Sequence, residues 1–324
     1  MIETIHFKNF RALRDTTLPL SPLTLIIGPN GSGKTTAINA LEAVARNRAL
    51  DRFASVGIAA SDAIEVTLNW QGNGNAVTTT HRRAGDPTWQ GPTGAVQTCR
   101  DRLARFQLYA LRADAIAEPV TLSPNVELER TGRGLAGVLD RLRDQHPERF
   151  TQLNEELHSW LPEFDRILFD TPETGKRAIQ LRTSQGGYAI PAPDLSDGTL
   201  TALTLLTVAH LPNPPAILAL EEPDHGIHIR LLREVRDALY RLAYPDQFDD
   251  PRAPVQVIAT THSPYMLDLF REHPEEVVIS ERTADGNGRF TRLCDRVDVD
   301  DILRDTSLGD AWYSGILGGV PDQP

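Results

Sequence analysis

One short run constrains this chain more than any other: Gly28-Pro29-Asn30-Gly31-Ser32-Gly33-Lys34-Thr35, followed by Thr36. It fits GxxxxGK[ST] completely and lies between an apolar segment, Leu23–Ile27, and a helical spacing of Ile38, Leu41, Val44 and Ala45. That order predicts strand, glycine loop and helix, the setting in which the pattern forms a P-loop. The glycines let successive backbone N–H groups turn inward around phosphates, and the helix N-terminus adds a partial positive charge. Asn30, Gly31, Ser32, Gly33, Lys34, Thr35 and Thr36 are therefore the expected nucleotide-binding residues. Lys34 is expected at the β- and γ-phosphates, with the Thr35 hydroxyl as a Mg²⁺ ligand.

Three further segments point to the same chemistry. Ala216-Ile217-Leu218-Ala219-Leu220 reads as a buried strand, and it ends in Glu221-Glu222-Pro223. Adjacent carboxylates closing an apolar strand are costly unless they face a cation or water. Glu221 is expected in the Mg²⁺ shell and Glu222 as the base that orients and deprotonates a water. Val255–Thr260 reads as a second buried strand and delivers His262 near its C-terminal end, the edge where parallel α/β sheets bind ligands. Leu195-Ser196-Asp197-Gly198-Thr199-Leu200 opens a helix, so Ser196 and the amides after Gly198 form a second anion-binding N-terminus. One nucleotide needs only one such cradle, which suggests that this one serves another molecule's ATP.

The remaining sequence sets limits. Net charge is −11, and the arginines between Arg100 and Arg149 alternate with Asp and Glu, so a salt-bridged surface is expected rather than a nucleic-acid patch. Two cysteines, Cys99 and Cys294, make no framework. The N-terminal stretch lacks the apolar centre of a signal peptide, and no apolar run has membrane-spanning length, so a cytoplasmic protein with no membrane contact is expected. A strand is predicted over 2–10, short strands over 64–98 with turns at Gly72-Asn73-Gly74 and Asp86-Pro87, helices over 125–161, and helices at 199–210 and 227–243.

Together these segments resemble the ABC-type ATPase heads of the RecF, SMC and overcoming-lysogenization-defect (OLD) group. The start Phe7-Lys8-Asn9-Phe10-Arg11, then GPNGSGKTT, LSDGTL, LALEEPDHGIH and ATTHSPYMLD carry the likeness. The resemblance implies an α/β P-loop NTPase fold with a mostly parallel core sheet, an antiparallel β subdomain and a helical lobe. It implies a single domain over 1–324, with a β segment at about 60–98 and a helical lobe at about 99–165. By the same likeness Lys34 and Thr35 are Walker A residues, Ser196 and Gly198 the signature, Glu221 and Glu222 Walker B, and His262 the switch histidine. The first Walker B acid is Glu rather than Asp. No glutamine stands out as a Q-loop residue, Gln97 and Gln107 being weak candidates.

The function so implied is an ATP-hydrolysing, Mg²⁺-dependent switch that forms a homodimer on ATP binding, in DNA maintenance or phage defence. The interval from Lys34 to Ser196 is too short for a long coiled-coil arm. The stretch after His262 is too short for a Toprim nuclease, and Asp298-Val299-Asp300 reads as an acidic turn. A separately encoded nuclease is thus the expected effector, docking on about 95–165 or near Trp312-Tyr313. DNA contact is not supported by the charge. Two rival readings are a transporter's nucleotide-binding subunit, disfavoured by Asp197 and Thr199 in the signature, and an ATP-dependent regulator without turnover, disfavoured by Glu222 and His262.

Overall fold

The computed structural model describes residues 1–50, 53–55, 63–71, 76–82, 85–283 and 285–318. The turn expected at Gly72-Asn73-Gly74 lies outside them. In chain order the elements are β1 (Ile2–Phe10), β2 (Leu13–Pro19), β3 (Leu23–Ile27), α1 (Lys34–Ala45), β4 (Glu65–Trp70), β5 (Val77–Arg82) and β6 (Thr88–Gln90). Then follow α2 (Thr93–Ala104), β7 (Phe106–Tyr109), α3 (Ala113–Ile116), β8 (Val120–Thr121), α4 (Leu135–Gln145), α5 (Pro147–Trp160), β9 (Phe164–Asp170), β10 (Lys176–Thr183) and β11 (Ala189–Pro191). The last part holds α6 (Asp197–His210), β12 (Ile217–Glu221), α7 (Leu232–Ala243), β13 (Gln256–Thr261), α8 (Pro264–Asp268), β14 (Val277–Arg282), β15 (Gly288–Arg292), α9 (Val299–Asp305) and α10 (Leu308–Tyr313). No helix among the described residues is long and apolar enough to cross a membrane.

The chain divides into two compact units, the first made of residues 1–108, 215–220 and 254–324. It carries two sheets. One is antiparallel, in the order β2-β1-β4-β5-β6, and the other runs β15-β14-β3-β13-β12-β7. In the second sheet β3 pairs parallel with both β13 and β14, and β15 adds an antiparallel edge. Gln256 N donates to Ala216 O, and Ala216 N to Arg105 O, so β13, β12 and β7 start side by side. β3 is buried at every residue, as a strand covered on both faces must be. One hydrophobic cluster joins residues from both sheets with α1 and α2. Phe7 packs on Phe10 and Phe290, and Phe10 stacks on Phe53 at 5.0 Å between ring centres.

The middle of the sequence differs from the expectation at two places. Strands were expected through residue 98, but Gly91-Pro92 ends β6 and a helix begins at Thr93. Val96, Cys99 and Leu103 recur at helical spacing there, and Cys99 and Leu103 are buried. The stretch from about 99 to 165, expected to be helical, also contributes the short strand β7 to the six-stranded sheet. Four residues are too few for a periodic signal to declare a strand.

The second unit comprises residues 109–214 and 221–253. Here β10 pairs antiparallel with β8, β9 and β11. Helices α4 and α5 bury Leu139, Leu142, Leu153 and Leu157. Helix α6 is buried from Gly198 to His210. Its interior threonines are satisfied locally, Thr204 Oγ1 donating to Leu200 O and Thr207 Oγ1 to Leu203 O. Arginines of the 100–149 stretch pair with their acidic neighbours, Arg112 with Asp114, Arg133 with Glu118, and Arg143 with Asp140 and Asp144.

Candidate nucleotide site

The glycine loop leaves β3 at Gly28 and enters α1 at Lys34. Gly28 is held against β14, where a Cβ would lie 2.3 Å from Ser280 O, so no larger residue fits. Gly33 adopts φ +111°, and a Cβ there would also meet Leu13 Cδ2 at 2.7 Å. Helix α1 has no side-chain cap and no acidic residue in its first turn, which leaves its N-terminal amides and positive dipole end uncompensated by the helix itself. Lys34 is buried, and its Nζ donates to Gly28 O at 2.6 Å and Pro29 O at 3.0 Å. The ammonium is thus anchored inside the loop it serves. Asn30, Gly31 and Thr35 are exposed, Thr36 is half-buried, and Ser32 is fully buried.

Ser32 is braced from behind. Ser280 Oγ, on β14, donates to Ser32 O at 3.1 Å and lies 2.9 Å from Ser32 Oγ. Gly288 of β15 approaches the same loop, a Cβ there falling 2.6 Å from Ser32 O. Sequence reasoning missed Ser280 and Gly288, because nothing local marks a strand residue as the support of a loop some 250 positions away. The same sheet brings His262 near the loop. Thr261 of β13 is the register partner of Ile27 of β3, so His262 and Gly28 leave neighbouring strands at the same edge. His262 is half-buried, and after it Ser263 caps α8 by accepting from Met266 N.

In the second unit, Glu221 closes β12 and Glu222 turns the chain with φ +47°, a left-handed conformation that a non-glycine residue rarely takes. His225 N donates to Glu222 O, and Glu222 is exposed. Glu221 Oε2 accepts from Arg130 Nη2 at 3.0 Å, while Glu221 Oε1 is buried without a hydrogen-bond partner among the described residues. A buried carboxylate oxygen lacking a donor is the arrangement a hard cation would satisfy, so this residue fits a Mg²⁺ ligand. Arg130 belongs to the arginine stretch expected to form a salt-bridged surface.

Ser196 caps α6, its Oγ accepting from Thr199 N at 3.1 Å and lying 2.8 Å from Thr199 Oγ1. Asp197 adds a negative charge to that first turn. Gly198 meets the loop after the acid pair, where a Cβ would stand 2.3 Å from Gly226 O. The start of α6 and the Asp224–Gly226 turn therefore pack directly on each other. Of the weaker sequence candidates, Gln97 bonds Asp101 on the exposed face of α2, and Gln107 lies in β7. Asp298 pairs with Arg296 at 2.8 Å, and Asp300 lies in the first turn of α9, so the acids open a helix.

Two segments of the chain and its fold resemble known proteins. A family model described as "AAA ATPase domain" matches residues 1–79, and one described as "AAA domain, putative AbiEii toxin, Type IV TA system" matches residues 127–268. The SMC head domain of Thermotoga maritima superposes with a TM-score of 0.53 at 16% identity, covering 90% of this chain and 98% of that one. The fold is that of an ABC-type ATPase head. A second solved structure, an SMC head bound to the C-winged helix domain of ScpA, is similar to this head with a TM-score of 0.58 at 14% identity, covering 90% and 96%. The OLD nuclease of Thermus scotoductus is 54% identical over 44 residues, which is 14% of this head and 8% of that protein. The match thus spans a small fraction of the nuclease's length.

Proposed function

We propose that this head binds and hydrolyses ATP with Mg²⁺ and works as a nucleotide-gated switch between two copies of the chain. The observation that carries the reading is the uncapped N-terminus of α1, wrapped by the loop that buries the Lys34 ammonium. The loop amides and Lys34 bind the phosphates. Thr35 and Glu221 hold the cation, which when bound neutralises developing charge on the phosphoryl oxygens. Glu222 accepts the proton of the attacking water, and His262 orients that water or the γ-phosphate. Ser196 and Gly198 of a second copy complete the site, so nucleotide binds the closed pair more tightly and hydrolysis releases it. The likeness to part of an OLD nuclease supports a role beside a separate effector, in DNA maintenance or phage defence in the cytoplasm.

The test is Glu222→Gln. An amide cannot take the water's proton, so phosphate release should fall by about 10²–10⁴-fold while nucleotide affinity holds within a few-fold. With ATP the variant should accumulate as a dimer by light scattering. Wild-type turnover in this variant would remove Glu222 as the base.

A further inference from the structure

The Glu221 carboxylate is held on one side only. Its Oε2 accepts from Arg130, and its Oε1 is buried with no hydrogen-bond partner among the described residues. The Glu221 side chain is 16% exposed, so solvent does little to compensate the bare oxygen. Glutamate also carries one more rotatable bond than the aspartate usual at such a strand end, and an unrestrained carboxylate there would sample several positions.

Arg130 is presented by a loop with little freedom. Glu129 N donates to Arg133 O, and Gly132 N to Glu129 O, closing the turn on itself. Ala110 N donates to Arg130 O at 2.8 Å and Arg112 N to Thr131 O at 3.0 Å, which fixes the backbone on either side of the side chain. Gly132 and Gly134 both take positive φ, and a Cβ at Gly134 would fall 2.3 Å from Glu127 O. These bonds hold the backbone on either side of Arg130, whose guanidinium lies on Glu221.

We propose that Arg130 is the positioning residue for divalent-cation binding in this head: by holding Oε2 it fixes the Glu221 carboxylate and leaves Oε1 as the ligand atom. The inference rests on the proposed nucleotide reading, since it concerns the metal that accompanies the nucleotide. Carboxylates that bind metals are commonly held by a hydrogen bond to the other oxygen, and removing such a support typically weakens metal binding about 10–100-fold. The alternative use of the same ion pair is competition, with Arg130 standing in for the metal and leaving when it binds. The two uses predict opposite signs.

The experiment titrates Mn²⁺, read by electron paramagnetic resonance, into the full chain with a non-hydrolysable ATP analogue. Arg130→Ala should weaken Mn²⁺ binding about 10–100-fold while analogue affinity in EDTA and the melting temperature stay near wild type. Arg130→Lys keeps the charge but not the planar fork; it should weaken Mn²⁺ binding by at least ~3-fold, and it serves as the deciding variant if Arg130→Ala fails to fold. In a Glu221→Gln background, Arg130→Ala should add nothing. Unchanged or tighter Mn²⁺ binding in the Arg130 variants, with wild type binding the Mn²⁺–analogue pair normally, overturns the assignment of Arg130 alone. No analogue binding by wild type, with or without Mn²⁺, would instead overturn the nucleotide reading beneath it.

Discussion

Helices α1 and α6 both begin at turns rich in glycine and hydroxyl side chains, yet their first turns are finished differently. At α1 no side chain caps the amides and no acid opposes the dipole, while a lysine sits buried in the preceding loop. At α6 the Ser196 hydroxyl already accepts from Thr199 N, and Asp197 stands in the first turn. The far end of α6 is pinned as well, His210 Nε2 lying 2.7 Å from Glu156 Oε2, whose other oxygen accepts from Arg241 at 2.8 Å. An end left without internal partners has its donors available for a ligand, whereas an end satisfied by its own residues is built first for the fold. The two signatures in the sequence look alike as anion sites. Of these two helices, α1 alone has a first turn with no side-chain cap and no acid of its own.

This contrast can be broken most forcefully at Glu156. Burial pushes its carboxyl upward, but the hydrogen bonds from His210 and Arg241 outweigh burial and bring it down to about 2 from 4.5. A depressed carboxyl contributes stability that is complete above the unfolded value and is lost as pH falls from about 4.5 through 2. Glu156→Gln should therefore cost on the order of 3 kcal/mol at neutral pH, and the gap to wild type should narrow across that acid window. Melting curves at several pH values check it; a gap constant with pH would mean that the carboxylate's charge is not what pins α6. The Mg²⁺-nucleotide affinity at α1 should stay near wild type throughout.

Gly198→Ala gives a smaller effect, since its Cβ must displace the Gly226 backbone. A destabilisation of about 1–3 kcal/mol is expected, seen as a lower melting temperature. Nucleotide affinity of the monomer should match wild type; its loss with no change in melting would mean that Gly198 touches the ligand of its own chain. Ser196→Ala should be smaller still, about 1 kcal/mol for a lost cap. Its nucleotide affinity as a monomer should match wild type, and calorimetry checks that. A monomeric affinity loss would show instead that α6 binds the ligand of its own chain.

What the sequence made legible follows from how local each signal is. The glycine loop, the three apolar strands Leu23–Ile27, Ile217–Glu221 and Gln256–Thr261, and the helix after Ser196 each declare themselves within a dozen residues. The pairing of β4 with β1 does not, because Phe7 and Val66 are register partners only in three dimensions. Strand β7 is too short to show a period, and Ser280 and Arg130 act on residues far away in sequence. Arg130 did leave one trace: it directly precedes the run Thr131-Gly132-Arg133-Gly134, whose two glycines mark a turn rather than a solvated helix face.

The central claim is that the uncapped end of α1 with its buried lysine is the phosphate site. Calorimetric titration of ATP into Lys34→Ala tests it most directly. Removing a charge-assisted donor pair costs about 1.5–3 kcal/mol per bond, so affinity should fall by at least ~100-fold against wild type in the same buffer, with the melting temperature showing that the variant remains folded. A folded Lys34→Ala protein that binds ATP as tightly as wild type would contradict the account.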